Sequence, residues 1–156
     1  MPFKRQSIYK KQLLGQIFLK SGIISKEQLK EALETQKKEG GFLGSVLIKL
    51  GYLTEMDLVT GLSSQCSIPY LPPQRYKIPK SVSEIMTEDF LRENSFVPID
   101  KFHDTLTVCM VNPLNDRAIS EISRVSNMEV LACIATKEEI EKTINSLFKK
   151  NSKNGL

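Results

Sequence analysis

The chain has little of what most catalytic and metal centres are made from. It has one histidine, His103, so neither a multi-histidine metal site nor a two-histidine acid/base pair can form within one copy. Its three cysteines, Cys66, Cys109 and Cys133, are odd in number, widely spaced and contain no C-x-x-C. That pattern removes a disulfide scaffold and a zinc site, and it fits a reduced, cytoplasmic protein. No G-x-x-x-x-G-K-[ST] occurs, so there is no P-loop for ATP; Gly40, Gly41 and Gly44 lack both the lysine and a preceding strand. No nucleophile, base and oxyanion donor come together, and no paired-carboxylate spacing recurs. Asp57, Asp89 and Asp116 read as capping or solvent-facing groups, and His103 as a turn residue. The expectation is a protein that is not an enzyme and carries neither metal nor cofactor.

Long hydrophobic runs are missing too. The longest near the N-terminus, Leu13 to Leu19, is interrupted by Gln16, is too short to cross a bilayer and lacks a signal-peptide cleavage pattern. Direct membrane insertion is therefore not expected. Charge of one sign is scarce: 22 Lys and Arg against 18 Asp and Glu leave a net charge of +4. That is too little for a dedicated binder of nucleic acid polymers or anionic membranes. Much of the excess lies at the ends, at Lys4, Arg5, Lys10 and Lys11 and again at Lys149, Lys150 and Lys153, where basic residues serve to solvate a terminus.

What the chain does have is enough apolar material, 40 % of 156 residues, for one domain or two small subdomains. The pattern changes midway. Between the halves, residues 68–79 hold four prolines, which withhold amide donors and restrict their neighbours. This reads as an extended connector whose Tyr70, Leu71, Tyr76 and Ile78 pack along a surface. Before it, apolar residues recur at helical spacing with glycine punctuation: Leu13, Leu14, Ile17 and Phe18 to Gly22; Leu29, Ala32 and Leu33 to Gly40; Leu43, Val46, Leu47 and Leu50 to Gly51; Leu58 and Leu62 to about Gln65. Ser25 with Gln28 forms a capping box, and Thr54 is followed by Asp57 at the position usually held by Glu or Gln. Four helices in two hairpins are expected.

After the connector, 81–85 and 87–93 read as short helices, and 96–100 and 105–111 as the strands of a hairpin turning at Phe102-His103-Asp104. A helix from Asn112 to about Ser126 follows. Residues 129–135 form a strand, and Thr136-x-x-Glu139 caps a final helix to Lys149. Cys109 and Cys133 fall within strands as small core residues. The fold class is α+β: a four-helix tandem helix-turn-helix repeat at 10–67, a proline-rich connector at 68–80 and a small ββαβα subdomain at 81–149, with flexible tails at 1–9 and 150–156.

The helical half is an internal repeat. Residues 13–36 laid over 42–65, a constant offset of 29, are identical at seven of 24 positions without a gap: Leu14/Leu43, Gly15/Gly44, Lys20/Lys49, Gly22/Gly51, Leu29/Leu58, Leu33/Leu62 and Gln36/Gln65. Two readings stand side by side. Leucines and hinge glycines suit a purely structural tandem of αα-hairpins with Leu14, Leu29, Leu33, Leu43, Leu58 and Leu62 facing inward. Glycine just inside a helix costs about 1 kcal/mol relative to alanine, however, and is understandable where something such as a phosphate must approach the backbone. Matched glutamines, able to donate and accept at once, suit the edge of a nucleobase. Two half-sites would suit a ligand with two-fold symmetry.

At these residues the chain resembles a known family. Leu14-Gly15-x-x-Phe18-Leu19-x-x-Gly22-Ile23-Ile24-x4-Leu29-x3-Leu33-x2-Gln36 and Leu43-Gly44-x-x-Leu47-Ile48-x-x-Gly51-Tyr52-Leu53-x4-Leu58-x3-Leu62-x2-Gln65 resemble the tandem motif of the MshEN domain. That domain is the N-terminal module of type II secretion and type IV pilus assembly ATPases, and some members bind cyclic di-GMP. Ile68-Pro69-Tyr70 is similar to the family's connector, and Leu106 to Pro113 to its "LTVAMADP" stretch; the resemblance covers residues 10–148. It implies a regulatory module that senses cyclic di-GMP or docks onto secretion or pilus proteins, among them a separate ATPase. The alternative is an interaction adaptor that has lost the nucleotide. It also implies nucleotide-binding residues: Leu13, Leu14, Gly15, Gly22, Ile23, Leu29, Leu33 and Gln36 in the first motif, and Phe42, Leu43, Gly44, Gly51, Tyr52, Leu58, Leu62 and Gln65 in the second. Ligand-binding members open each motif with arginine, where this chain has Leu13 and Phe42. Each charge-assisted hydrogen bond is worth about 1.5–3 kcal/mol, so weak or absent binding is expected.

Overall fold

The computed structural model describes residues 14–65 and 67–154, with the backbone alone at Gln65 and over 150–154. Leu13, Cys66, the basic residues Lys4, Arg5, Lys10 and Lys11 and the whole N-terminal tail at 1–9 thus lie outside the described residues. The chain divides into two compact units between Ser67 and Ile68, so the connector belongs with the second.

The first unit holds four helices: α1 over 14–20, α2 (Lys26–Glu39), α3 (Leu43–Lys49) and α4 (Glu55–Gln65). Local hydrogen bonds set their starts. The Ser25 hydroxyl accepts from the Gln28 amide at 3.1 Å while the Gln28 side chain accepts from the Ser25 amide at 2.9 Å. Thr54 and Asp57 make the same reciprocal pair at 3.0 Å each, so the shorter carboxylate closes the box as well as glutamate would. The two helix hairpins turn at Gly22 and Gly51, with φ of 77° and 82°, a left-handed conformation that a Cβ disfavours. Leu14, Phe18, Ile24, Ala32, Leu43, Val46, Leu47, Leu53, Leu58, Val59 and Leu62 are buried.

One inward leucine is corrected: Leu33 is 41 % exposed, whereas Leu29 is half-buried with its side chain turned toward the buried Gly15. Helix α4 buries Leu58, Val59 and Leu62, whereas Ala32 is the one buried residue of α2. Helix α2 is therefore covered along a narrow line, and a leucine one position from that line stands outside it.

The second unit begins with the connector, which includes a 3-10 turn at Pro73–Arg75, and continues through α5 (Lys80–Ser83), α6 (Glu88–Glu93), β1 (Phe96–Phe102), β2 (Thr105–Met110), α7 (Asp116–Ser126), β3 (Glu129–Ile134) and α8 (Lys137–Asn154). The sheet order is β1-β2-β3, with β1 antiparallel and β3 parallel to β2. Parallel pairing of β2 with β3 requires a crossover, which α7 supplies. Phe96, Leu106, Val108, Met110, Ala118, Ile122, Ile140 and Ile144 belong to the core of this unit. The connector extends the sheet by one bridge: the Ile134 amide donates to the Pro69 carbonyl, and the Leu71 amide to the Ile134 carbonyl. The final helix runs past Lys149 to Asn154, because no glycine or proline interrupts it before Gly155. Among the described residues no helix is long and apolar enough to cross a membrane.

Candidate nucleotide-binding site

The repeated motif residues come together in the first unit, and the offset of 29 is visible in their contacts. Gly15 and Gly44, near the starts of α1 and α3, are both buried. A Cβ at Gly15 would lie 3.1 Å from Leu29 Cδ1, and one at Gly44 would lie 2.9 Å from Leu58 Cδ1. What approaches each glycine is thus the equivalent leucine of the next helix. This replaces the phosphate as the reason for glycine at these two positions: the omitted Cβ seats a neighbouring side chain. At Gly44 the Phe42 ring adds to the crowding, its Cε1 2.8 Å from the Cβ position, so the aromatic lies over the start of α3.

Leu29, Leu33 and Gln36 occupy positions i, i+4 and i+7 of α2 and so share one face. Leu33 is exposed, Leu29 and Gln36 half-buried, giving an apolar stripe that ends in an amide. Gln36 Nε2 donates to the Gly41 carbonyl at 2.9 Å, which ties the end of α2 to the spacer. The corresponding stripe of α4 differs. Leu58 and Leu62 are 4 % and 0 % exposed, so the second half-site is closed by its own packing where the first is open. The backbone of Gln65 ends α4. Leu14 and Leu43 are buried, while Gly22 and Gly51 sit exposed at the hairpin turns.

A second asymmetry separates Ile23 from Tyr52. Tyr52 donates its hydroxyl to Glu31, and that hydrogen bond, ahead of burial and the glutamate's charge, raises the phenol above its usual range. The equivalents of Tyr52, Glu31 and Ala32 in the other half are Ile23, Thr60 and Gly61. All three are smaller, and there the structure has an open groove of about 520 Å³ lined by Gln16, Ile17, Phe18, Lys20, Ser21, Ile23, Asp57, Thr60, Gly61 and Ser64. Of these only Ile23 was expected from the motif. For the rest except Lys20, which is identical in the two copies, the signal was available in the same alignment, at the positions where the copies differ in size.

No group of three or more His, Cys, Asp and Glu able to hold a metal occurs among the described residues. Cys109 and Cys133 are free, buried and paired in register on β2 and β3. Burial first, then the proximity of Cys133 and Glu139, pushes the Cys109 thiol up to about 12, which keeps it protonated and unreactive.

The profile of the MshEN domain matches residues 66–152. Two type IV pilus assembly ATPases named PilB are similar to the chain. The Myxococcus xanthus protein is 24% identical over 135 residues, 86% of this chain and 24% of that protein. The Thermus thermophilus protein is 27% identical over 119 residues, 75% of this chain and 13% of that protein. The chain thus spans a quarter or less of the length of these relatives. Among solved structures, MshE with cdg (cyclic di-GMP) superposes with a TM-score of 0.73 at 28% identity, covering 85% of this chain and 96% of that one. An N-terminal domain of XpsE matches in fold, with a TM-score of 0.73 at 17% identity over 86% of this chain and 94% of that one.

Proposed function

The chain belongs to the MshEN domain family, and from that premise we propose that it works as a non-catalytic regulatory module of a pilus or secretion ATPase system, with the α2 stripe as a remnant half-site for cyclic di-GMP. One observation carries the reading. The likeness to MshE with cdg covers 85% of this chain, more than either unit alone could supply, so it extends into the unit that bears the motifs. Within that unit Leu29, Leu33 and Gln36 offer what one purine needs: an apolar surface to stack against and an amide for the base edge.

The chemistry at the other end of the ligand is poor. Leu13 and Phe42 give no cation for a phosphate, and the Phe42 ring already lies against the start of α3. Binding by the natural sequence is accordingly weak. Calorimetry with cyclic di-GMP tests this: the Leu13→Arg, Phe42→Arg double variant gains at least about tenfold in affinity, roughly 1.4 kcal/mol. Tight binding by the unmodified protein would refute the weight placed on the missing cations.

A second reading has its own support in the position of Phe42. A ring packed over Gly44 stabilises the hairpin itself, as expected of a module that keeps the scaffold and docks proteins with it. Failure of both sequences to bind would favour that adaptor reading. Docking to pilus or secretion proteins near an inner membrane, and a cytoplasmic location, follow under either.

A further inference from the structure

The sheet of the second unit has two unequal faces. Phe96, Val108 and Ala132 stand on one face, the core face, which stays covered as far as Leu106 and Val130 near the hairpin end. On the other face Val97, Cys109 and Cys133 are buried, and Cys109 Sγ donates to the Leu71 carbonyl of the connector at 3.3 Å. That cover stops short of the hairpin end. There Asp100, Thr107 and Leu131 form one row and Phe102, Thr105 and Glu129 the next. Phe102 is 71 % exposed and Leu131 54 %.

A bulge places Phe102 there. The register of β1 shifts between Pro98 and Asp100, inserting the buried Ile99. Without it, strict alternation would turn Asp100 and Phe102 to the core face and Lys101 outward. The bulge disrupts the local ladder, and its effect is to set a phenylalanine and a carboxylate on the open face while removing a cation from it. The hairpin turn adds Asp104, whose carbonyl accepts from the Glu129 amide at 2.7 Å and so holds that turn beside β3. Asp100, Asp104 and Glu129 are all exposed, and none is in any of the ion pairs of the described residues. A chain with net charge +4 thus presents two large apolar side chains rimmed by three unpaired carboxylates.

We infer that this open sheet face, Phe102 and Leu131 within the rim of Asp100, Asp104 and Glu129, docks a basic amphipathic segment of a partner protein. Apolar side chains of the segment cover Phe102 and Leu131, and its lysines or arginines meet the rim, where complementary charge steers encounter and fixes orientation. The surface is distinct from the α2 stripe and independent of whether a nucleotide binds.

Fluorescence anisotropy with a labelled peptide of alternating leucine and lysine tests it on the full chain. The peptide binds, its glutamate counterpart does not, and Asp100→Lys with Glu129→Lys weakens binding about tenfold or more. Leu131→Ser with Phe102→Ser weakens it comparably, and both pairs are exposed enough for the variants to fold, which circular dichroism checks. Reversing two carboxylates elsewhere, Glu27→Lys with Glu34→Lys, leaves affinity within about twofold. Absence of binding, equal binding of both peptides, or an equal loss from the remote reversal would each overturn the proposal.

Discussion

Gly61 and Phe18 offer the sharpest test of the packing. A Cβ at Gly61 would lie 2.7 Å from Phe18 Cε1 and 2.9 Å from Cζ. Phe18 is 1% exposed, so its ring cannot swing aside into solvent. Gly61→Ala gains about 1 kcal/mol in helix propensity but overpacks the site at a cost of about 1–3 kcal/mol. The net effect is a loss of about 1 kcal/mol. Phe18→Leu alone loses about 1–2 kcal/mol of packing, less than the 3–5 of truncation to alanine. Together the two substitutions recreate Leu47 and Ala32, the pair found 29 residues away in the other half, where both are wholly buried. In the Phe18→Leu background Gly61→Ala therefore becomes stabilising, and the double-mutant cycle shows a favourable coupling of about 1–3 kcal/mol. Native-state hydrogen exchange of the α1 and α4 amides reads this unit by itself, without assuming that both units unfold together. Additivity within about 0.5 kcal/mol would refute the claim that glycine is there to admit the larger ring.

Two further outcomes follow from burial and titration. Leu62→Ala loses about 2–5 kcal/mol, whereas Leu33→Ala, at a position 41 % exposed, loses less than about 1, and urea unfolding of the two variants compares them directly. Stability also falls at alkaline pH. Burial raises Cys109 from 9.0 to about 12, and the hydrogen bond to Glu139 raises Tyr70 from 10.0 to about 12. The folded state holds both protons more tightly than the unfolded chain. Their contribution is thus complete below about pH 9 and is lost as pH rises towards about 12. The urea midpoint drops between pH 8 and pH 10.5, and less steeply in a Cys109→Ala, Tyr70→Phe variant; an equal slope would show that these groups do not carry the effect.

The sequence by itself determined the features whose physics is local. Capping at Ser25, Thr54 and Thr136 needs partners only three residues away, and each pair forms. The prolines of the connector, the ββαβα order and the two glycine turns were legible for the same reason, since they depend on backbone chemistry within a few positions. The family resemblance was read mainly from the 29-residue offset in the first half, whereas the family profile matches residues 66–152. Tertiary structure alone decided which copies of a repeated residue matter in which way. Leu33 and Leu62 are the same residue at the same place in the motif, yet one lies at the edge of a narrow contact and the other beneath a packed one. The glycines of both motifs read equally well as phosphate seats until Leu29 and Leu58 were found in the space above them. The bulge at Ile99 moved Phe102 to the open face, because alternation fixes the side of a residue only while the register holds. Spacing specifies a helix or strand and its apolar side, but burial depends on what a distant segment brings to that side, and a single sequence does not contain that distance.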